Sequence, residues 1–337
     1  MKNGDGILKG ETSEGSSLSP FRETAAVLVD DLHTQILQTL LYYDIFSYPL
    51  SGDEIRAHIQ TAIPADTFDR SLQALIDKSW IFQYQGYFST QDQPSWGQER
   101  ITRGERSKKY VKIAYRMGKL IASFPFVSGV YVSGSLSKQW IDDEGDIDYF
   151  IITRPGRLWI ARTFLVLFKK LFLFNSHKYF CVNYFIDEDH LEIEEKNRFT
   201  ATEIVTLLPI AGKELFIKFR TANQWVKSYF PNYPMPDLSN IRRVPRRGLG
   251  KALQALLFGR FGNWLDRRFL LLTLSVWKRK FKSLDLNHFE VALKSRKYVS
   301  KHHPNHFQRR VLEAHQEKLR TFEQKHQLAV GTLNDIS

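Results

Sequence analysis

The stretch from Val130 to Thr153 constrains the fold of this chain more than any other. It opens as an apolar run, Val130 to Val132, which breaks at Ser133, Gly134 and Ser135. Ten residues separate Ser135 from Asp146, and the triplet Asp146, Ile147, Asp148 leads straight into a second apolar run, Tyr149 to Ile152. Short β-rich runs bounded by Gly and Ser read as buried strands. Side chains alternate along a strand, so Asp146 and Asp148 are expected on one face, about 6–7 Å apart. Two carboxylates so placed suit shared coordination of a hard divalent cation such as Mg²⁺. At the Gly134-Ser135 turn, glycine lets the backbone approach a ligand closely, and the N–H groups of a following short helix can hold a phosphate. Ser135 adds a hydroxyl donor.

The turn, the gap and the Asp-x-Asp strand together resemble the signature of the polymerase-β-like nucleotidyltransferase superfamily. That signature is a hydrophobic residue, Gly, Gly or Ser, a gap of similar length, then Asp, a hydrophobic residue, Asp or Glu, and another hydrophobic residue. Gly134, Ser135, Asp146, Ile147, Asp148 and Tyr149 meet it, and Ser133 stands where the pattern has an apolar residue. The resemblance implies two Mg²⁺ ions on Asp146 and Asp148 and a nucleoside triphosphate against Gly134 and Ser135. It also implies in-line attack on the α-phosphate by an acceptor hydroxyl, with the metals stabilising the attacking and leaving oxygens. The acceptor is left open among a small molecule, an RNA end and a protein side chain. The alternative function is a non-catalytic, nucleotide-sensing regulator.

A third strand is expected from Lys178 to Ile186. The superfamily usually carries a third carboxylate in the middle of this strand, and here Asn183 stands there. Asn hydrogen-bonds but brings no charge and is a poor general base. Asp187 is expected on the same face as Asn183, two strand steps further on. Three explanations stay open: two aspartates with Asn183 as a polar helper lining the nucleotide pocket, Asp187 as the third acid and metal ligand, or binding without turnover.

The expected fold class is α+β, with a small mixed-sheet core over 98–230, an N-terminal winged-helix-like domain over 23–95 and a basic helical C-terminal region over 240–328. The N-terminal expectation rests on three helical patterns followed by a hairpin. Apolar residues from Leu28 to Ile45 recur at helical spacing, Ser51 and Glu54 have the form of a capping box opening a helix at Gly52, and Pro64 to Ser79 gives the third helix. Two short strands from Trp80 onward turn at Gln85-Gly86. This order resembles a winged helix-turn-helix. The charges argue against DNA reading, because the third helix sets Asp66, Asp69 and Asp77 against Arg70 and Lys78, and the hairpin has no basic residue. A packing or protein-contact module is the favoured reading.

A helix is expected from about Thr102 to Ser123, with Arg100, Arg103 and Arg106 either on a solvated basic face or turned to substrate phosphates. Arg157 to Phe174 is read as an apolar helix covering the sheet. Helical patterns follow at Glu192–Arg198, Thr202–Leu208 and Asn223–Tyr229. From Ile241 to Asp285 there are 12 Lys or Arg against 2 Asp, interleaved with Leu, Phe and Trp. That alternation fits a helical substrate-binding region, and also RNA or peripheral attachment to an anionic membrane. A closing helix is expected from about Asn305 to Gln324.

The net charge of +12 over 337 residues favours a polyanionic partner. One cysteine, Cys181, excludes a disulfide framework and reads as a buried thiol. Residues 1–22 read as a disordered tail without the apolar core of a signal peptide, and no stretch is apolar enough to span a bilayer. These features lead to an expected cytoplasmic location.

Overall fold

The computed structural model describes residues 27–28, 31–174, 176–241, 249–280, 294–301 and 307–331. The 1–22 tail, the arginines at 242–247 and the histidines at 302, 303 and 306 lie outside the described residues. The fold is α+β, with a three-stranded antiparallel sheet and a six-stranded mixed sheet.

The chain opens with β1 (Val27–Leu28), α1 (Asp31–Tyr43), β2 (Leu50–Ser51), α2 (Gly52–His58) and α3 (Ala65–Asp77). The hairpin β3 (Phe82–Tyr84) and β4 (Tyr87–Ser89) follows. Helix α2 starts where the capping box sets it. The Ser51 hydroxyl accepts the Glu54 N–H, and the Glu54 carboxylate accepts the Ser51 N–H. The hairpin turns through Gln85 (φ 55°) and Gly86 (φ 80°), both left-handed as a tight two-residue turn of this hand requires. Strand β4 pairs with both β2 and β3.

Helix α4 (Pro94–Ala122) starts earlier than the expected Thr102, because Pro94 suits the first turn of a helix. Then come β5 (Val127–Ser133), α5 (Gly134–Ser137), β6 (Asp148–Thr153), α6 (Leu158–Phe172) and β7 (Cys181–Asp187). After these are α7 (Arg198–Val205), β8 (Leu208–Ala211) and α8 (Lys213–Ala222). Strand β5 runs antiparallel to β6 and to β8, and β6 runs parallel to β7 with α6 as the crossover. Val130, Val132, Tyr149, Ile151 and Phe185 form one buried cluster with residues of α4 and α6. Tyr131, Phe150, Ile152 and Ile186 form another with residues of α7 and α8. Both faces of the sheet are covered, which is why these strands are apolar almost throughout.

Two expected helical patterns end differently. Residues 192–197 form no helix, and α7 begins only at Arg198, where the Asn197 side chain accepts the Thr200 N–H at 3.0 Å. Leu208 belongs to β8, because Pro209 breaks the helical ladder and is tolerated on an edge strand.

The C-terminal region comprises α9 (Leu249–Leu256), α10 (Arg260–Lys280), β9 (Ser295–Arg296), β10 (Val299–Lys301), α11 (Phe307–His326) and β11 (Leu328–Ala329). The region expected as basic and helical over 240–328 thus also contributes strands. Helix α10 packs on α6, and β10 pairs antiparallel with β7 and extends the large sheet. Helix α11 packs on α1, with Val311, Leu319 and Phe322 in the same buried cluster as Ile36, Leu37 and Leu40. Strand β11 pairs in parallel with β1. The apolar stripe of α11 completes the N-terminal core instead of forming its own.

Candidate active site

Strand β5 ends at Ser133, which lies opposite Asp148 in the antiparallel ladder with β6. The next residue, Gly134, has φ 69°, and a Cβ placed there would meet Asp148 Oδ2 at 2.6 Å. Only glycine brings the turn this close to the aspartate. The Gly134 N–H donates to Glu203 Oε2 at 3.3 Å. Lys138 Nζ donates to Glu203 Oε1 at 2.7 Å and to the Gly134 carbonyl at 3.1 Å. The backbone donor expected to meet an anion is therefore occupied by a carboxylate from α7. Ser135 is the second residue of α5, and its carbonyl accepts from the N–H groups of Lys138 and Trp140.

Asp148 opens β6 and is paired in register with Cys181, the first residue of β7. Asn183 Nδ2 donates to Asp148 Oδ1 at 3.1 Å and lies 3.0 Å from Cys181 Sγ. The Cys181 thiol also hydrogen-bonds Asp148. Burial pushes the Asp148 carboxyl up to about 6. The bonds from Cys181 and Asn183 oppose that rise, and the charges of Asp146 and Glu203 add to it. Asp146, His177 and Cys181 each place one ligand atom within 4.8 Å of the others. Burial, Asp148 and Asp146 together push the Cys181 thiol upward, so it is protonated near neutral pH. Lys169 Nζ reaches the His177 ring at 3.4 Å and sets a cation beside this cluster.

The structure thus brings together Gly134, Ser135, Asp146, Asp148 and Asn183. Asp187 is elsewhere. A bulge between Tyr149 and Phe150 of β6 leaves Asn183 as the extra residue of β7 and resets the alternation beyond it. Asp187 pairs with Thr153 at the far end of β6, where its buried carboxylate accepts from His190 Nδ1 at 2.6 Å and from the Asp189 N–H at 3.2 Å. The expectation that Asp187 shares a face with Asn183 is corrected on that ground. Glu203 is the carboxylate that sequence reasoning missed. It is 69 positions from the glycine whose N–H it holds, and a single Glu inside a helix carries no local signal. His177 was missed for the same reason.

The loop between α5 and β6 is braced from α4. Arg100 donates to the Gln139 carbonyl at 3.4 Å, and its other amino group reaches Glu54 and the Tyr48 hydroxyl, each at 2.6 Å. Arg103 lies over the Trp140 ring at 4.3 Å, and Arg106 pairs with Asp143 at 2.9 Å. These three arginines hold the loop that delivers Asp146. A cleft of about 240 Å³ opens beside it, lined by Tyr43, Tyr48, Glu54, Lys138 and Tyr233 among others.

Comparison of the chain with protein-family models, with curated proteins and with solved structures gives no match. Among the described residues, no helix is long and apolar enough to cross a membrane.

Proposed function

We propose that the chain is a nucleotidyltransferase that moves a nucleoside monophosphate from a nucleoside triphosphate to an acceptor hydroxyl. The observation that carries this reading is the Gly134 N–H bonded to the Glu203 carboxylate, directly beside Asp148. The turn already holds an anion, with Lys138 as its counter-charge. A phosphate oxygen offers the same acceptor chemistry to the same donors.

The donor set fits a hard divalent cation. Asp146 and Asp148 offer hard carboxylate oxygens, and the charges of Asp146 and Glu203 help hold Asp148 up at about 6 after burial. Asp146 and Asp148 would hold the Mg²⁺ ions, which when bound stabilise charge on the attacking and leaving oxygens of an in-line displacement. The chain's own groups do the rest. Asn183 fixes the Asp148 carboxylate through Oδ1. Lys138 supplies positive charge to the triphosphate once that ligand displaces Glu203 from the Gly134 N–H. Released, Glu203 serves as the third carboxylate in place of Asn183, and Asp187 takes no part. The aromatic-lined cleft beside Lys138 offers a seat for the base or the acceptor.

For the N-terminal unit, the element order and the hairpin support the winged-helix-like reading. Asp66, Asp69 and Asp77 are exposed on α3, so the helix that would read DNA presents carboxylates. We assign this unit to bracing the site loop through Arg100 and Tyr48.

The test is to incubate the protein with Mg²⁺ and each α-phosphate-labelled nucleoside triphosphate in turn, alone and with cell extract as acceptor. The Asp146→Ala/Asp148→Ala variant runs alongside. Label transferred by the wild type and lost in the folded variant is the expected result. Mg²⁺-dependent binding without transfer gives the regulator reading instead, and neither binding nor transfer overturns both.

A further inference from the structure

Helix α10 is apolar on more than its core side: Leu265, Phe269 and Leu270 pack against the core, and a second apolar set faces outward. Gly262, Asp266 and Trp277 are buried, whereas Phe261, Trp264, Leu271, Leu272 and Val276 are each about half exposed or more. With 3.6 residues per turn, Phe261, Trp264, Leu271 and Leu272 fall on the side turned away from the buried three, and Val276 lies at its edge. Leu256 and Phe258, just before α10, are 69% and 79% exposed. At the end of α6, on which α10 packs, Leu171, Phe172 and Phe174 are exposed as well. Single exposed apolar residues are ordinary, but a run this dense on one helix and its neighbour marks an interaction surface.

Among the described residues, the charges exposed on α10 have one sign. Arg260, Arg267, Arg268, Lys278 and Arg279 are all exposed. The acidic residue of α10, Asp266, is buried and accepts the Ile160 N–H at 3.0 Å, so it offsets none of that surface charge. Phe261 and Trp264 stack at 5.9 Å, and the Arg268 guanidinium lies 5.4 Å from the Trp264 ring.

We propose that this face lies on an anionic lipid bilayer, with the aromatic and aliphatic tips at the acyl boundary and the Arg and Lys heads among the lipid phosphates and carboxylates. The cations are interleaved with the apolar tips, and long Arg and Lys side chains can snorkel from such a face to the lipid phosphates while the tips enter the acyl boundary; attachment is peripheral because no described helix can span. Single-stranded RNA fits less well. Bases need planar partners, and Leu256, Leu271, Leu272 and Val276 offer aliphatic tips that neither stack nor pair. A second copy of the chain fits less well too, since a two-fold contact would set this cationic face against itself.

The test uses the full chain with chelator present, so that its outcome is separate from nucleotide transfer. Co-sedimentation is measured with vesicles of phosphatidylcholine alone and of phosphatidylcholine mixed with phosphatidylserine. The protein is expected to pellet with the mixed vesicles and not with phosphatidylcholine alone, and added salt should release it. Arg267→Glu/Arg268→Glu and, separately, Phe261→Ser/Trp264→Ser should each lower partitioning about tenfold or more, with circular dichroism and thermal midpoint unchanged because all four side chains are exposed. Pelleting of both variants equal to that of the wild type, or equal binding of the wild type to neutral vesicles, overturns the proposal. So does a self-association in sedimentation velocity, or a single-stranded RNA affinity, that these variants abolish while vesicle binding is absent throughout.

Discussion

Replacing Asp148 with Asn should make the metal-free protein more stable at neutral pH while removing its activity. The Asp148 carboxyl rises from 3.8 to about 6 on folding, chiefly through burial. A raised folded-state value means that the fold favours the protonated form. Below pH 3.8 the group is protonated in both states and costs nothing. As pH rises, the unfolded chain ionises first, and stability falls until the folded group also ionises at about 6. Above that, the native state carries the full cost. At about 1.4 kcal/mol per unit this comes to about 3 kcal/mol, and partial exposure of the residue reduces it to about 2. Asn keeps the shape and still accepts from Asn183 through its carbonyl oxygen. It weakens the bond from the Cys181 thiol, returning about 0.5–1 kcal/mol. The net expectation is a gain of about 1–1.5 kcal/mol above about pH 7 and none, or a small loss, near pH 4. Asp44, also raised to about 6, titrates in both proteins and cancels in the difference. The assay is urea unfolding followed by circular dichroism, with chelator, at both pH values. Excess Mg²⁺ should then raise the midpoint of the wild type and leave that of the variant unchanged. A variant less stable than the wild type by the same amount at both pH values would refute the account of an uncompensated carboxylate cluster.

Two further outcomes follow from the turn. Gly134→Ala forces Cβ to 2.6 Å from Asp148 Oδ2 at φ 69°, so label transfer should fall by about 10²-fold or more. Gly86→Ala, at φ 80° with open space around it, should cost about 1 kcal/mol of stability and leave transfer intact; equal effects of the two would show that only backbone strain is being read. Glu203→Gln should lower kcat by about 10²-fold with little change in KM, if Glu203 acts on the reacting groups. Lys138→Met should instead raise KM, and a reversed split in steady-state kinetics would reassign both side chains.

The sequence made the local features legible. The capping box at Ser51 and Glu54, the turn at Gln85-Gly86 and the paired runs around Gly134 and Asp148 each draw their signal from residues a few positions apart, and each stands in the structure. What escaped was non-local or depended on register. Strands β9 and β10 are two and three residues long and exist because β7 has an edge to pair with, which no local pattern announces. Asp187 was misplaced by one bulge, since an extra residue at 183 changes every facing beyond it. Glu203 could be found only by knowing that α7 returns to the β5 turn. The apolar stripe of α11 was visible, but its partner, α1, lies at the other end of the chain.

The N-terminal unit is part of the site's construction. Glu54 on α2 holds Arg100, and Arg100 holds the Gln139 carbonyl. The Tyr48 hydroxyl donates to the Lys138 carbonyl at 2.6 Å, and the Lys138 ammonium holds Glu203 against the Gly134 N–H. Tyr48 and Glu54 are fixed in turn by a core that α11 completes from the far end of the chain. Arg100 is buried but Glu54 is about a third exposed, so breaking their link costs less than a fully buried pair would, at about 1–3 kcal/mol. The arrangement therefore favours one position of the loop that carries Lys138 and delivers Asp146. This explains why Arg100, Arg103 and Arg106 of α4 turn toward that loop, while Lys108, Lys109, Lys112, Arg116 and Lys119 on the same helix stay exposed.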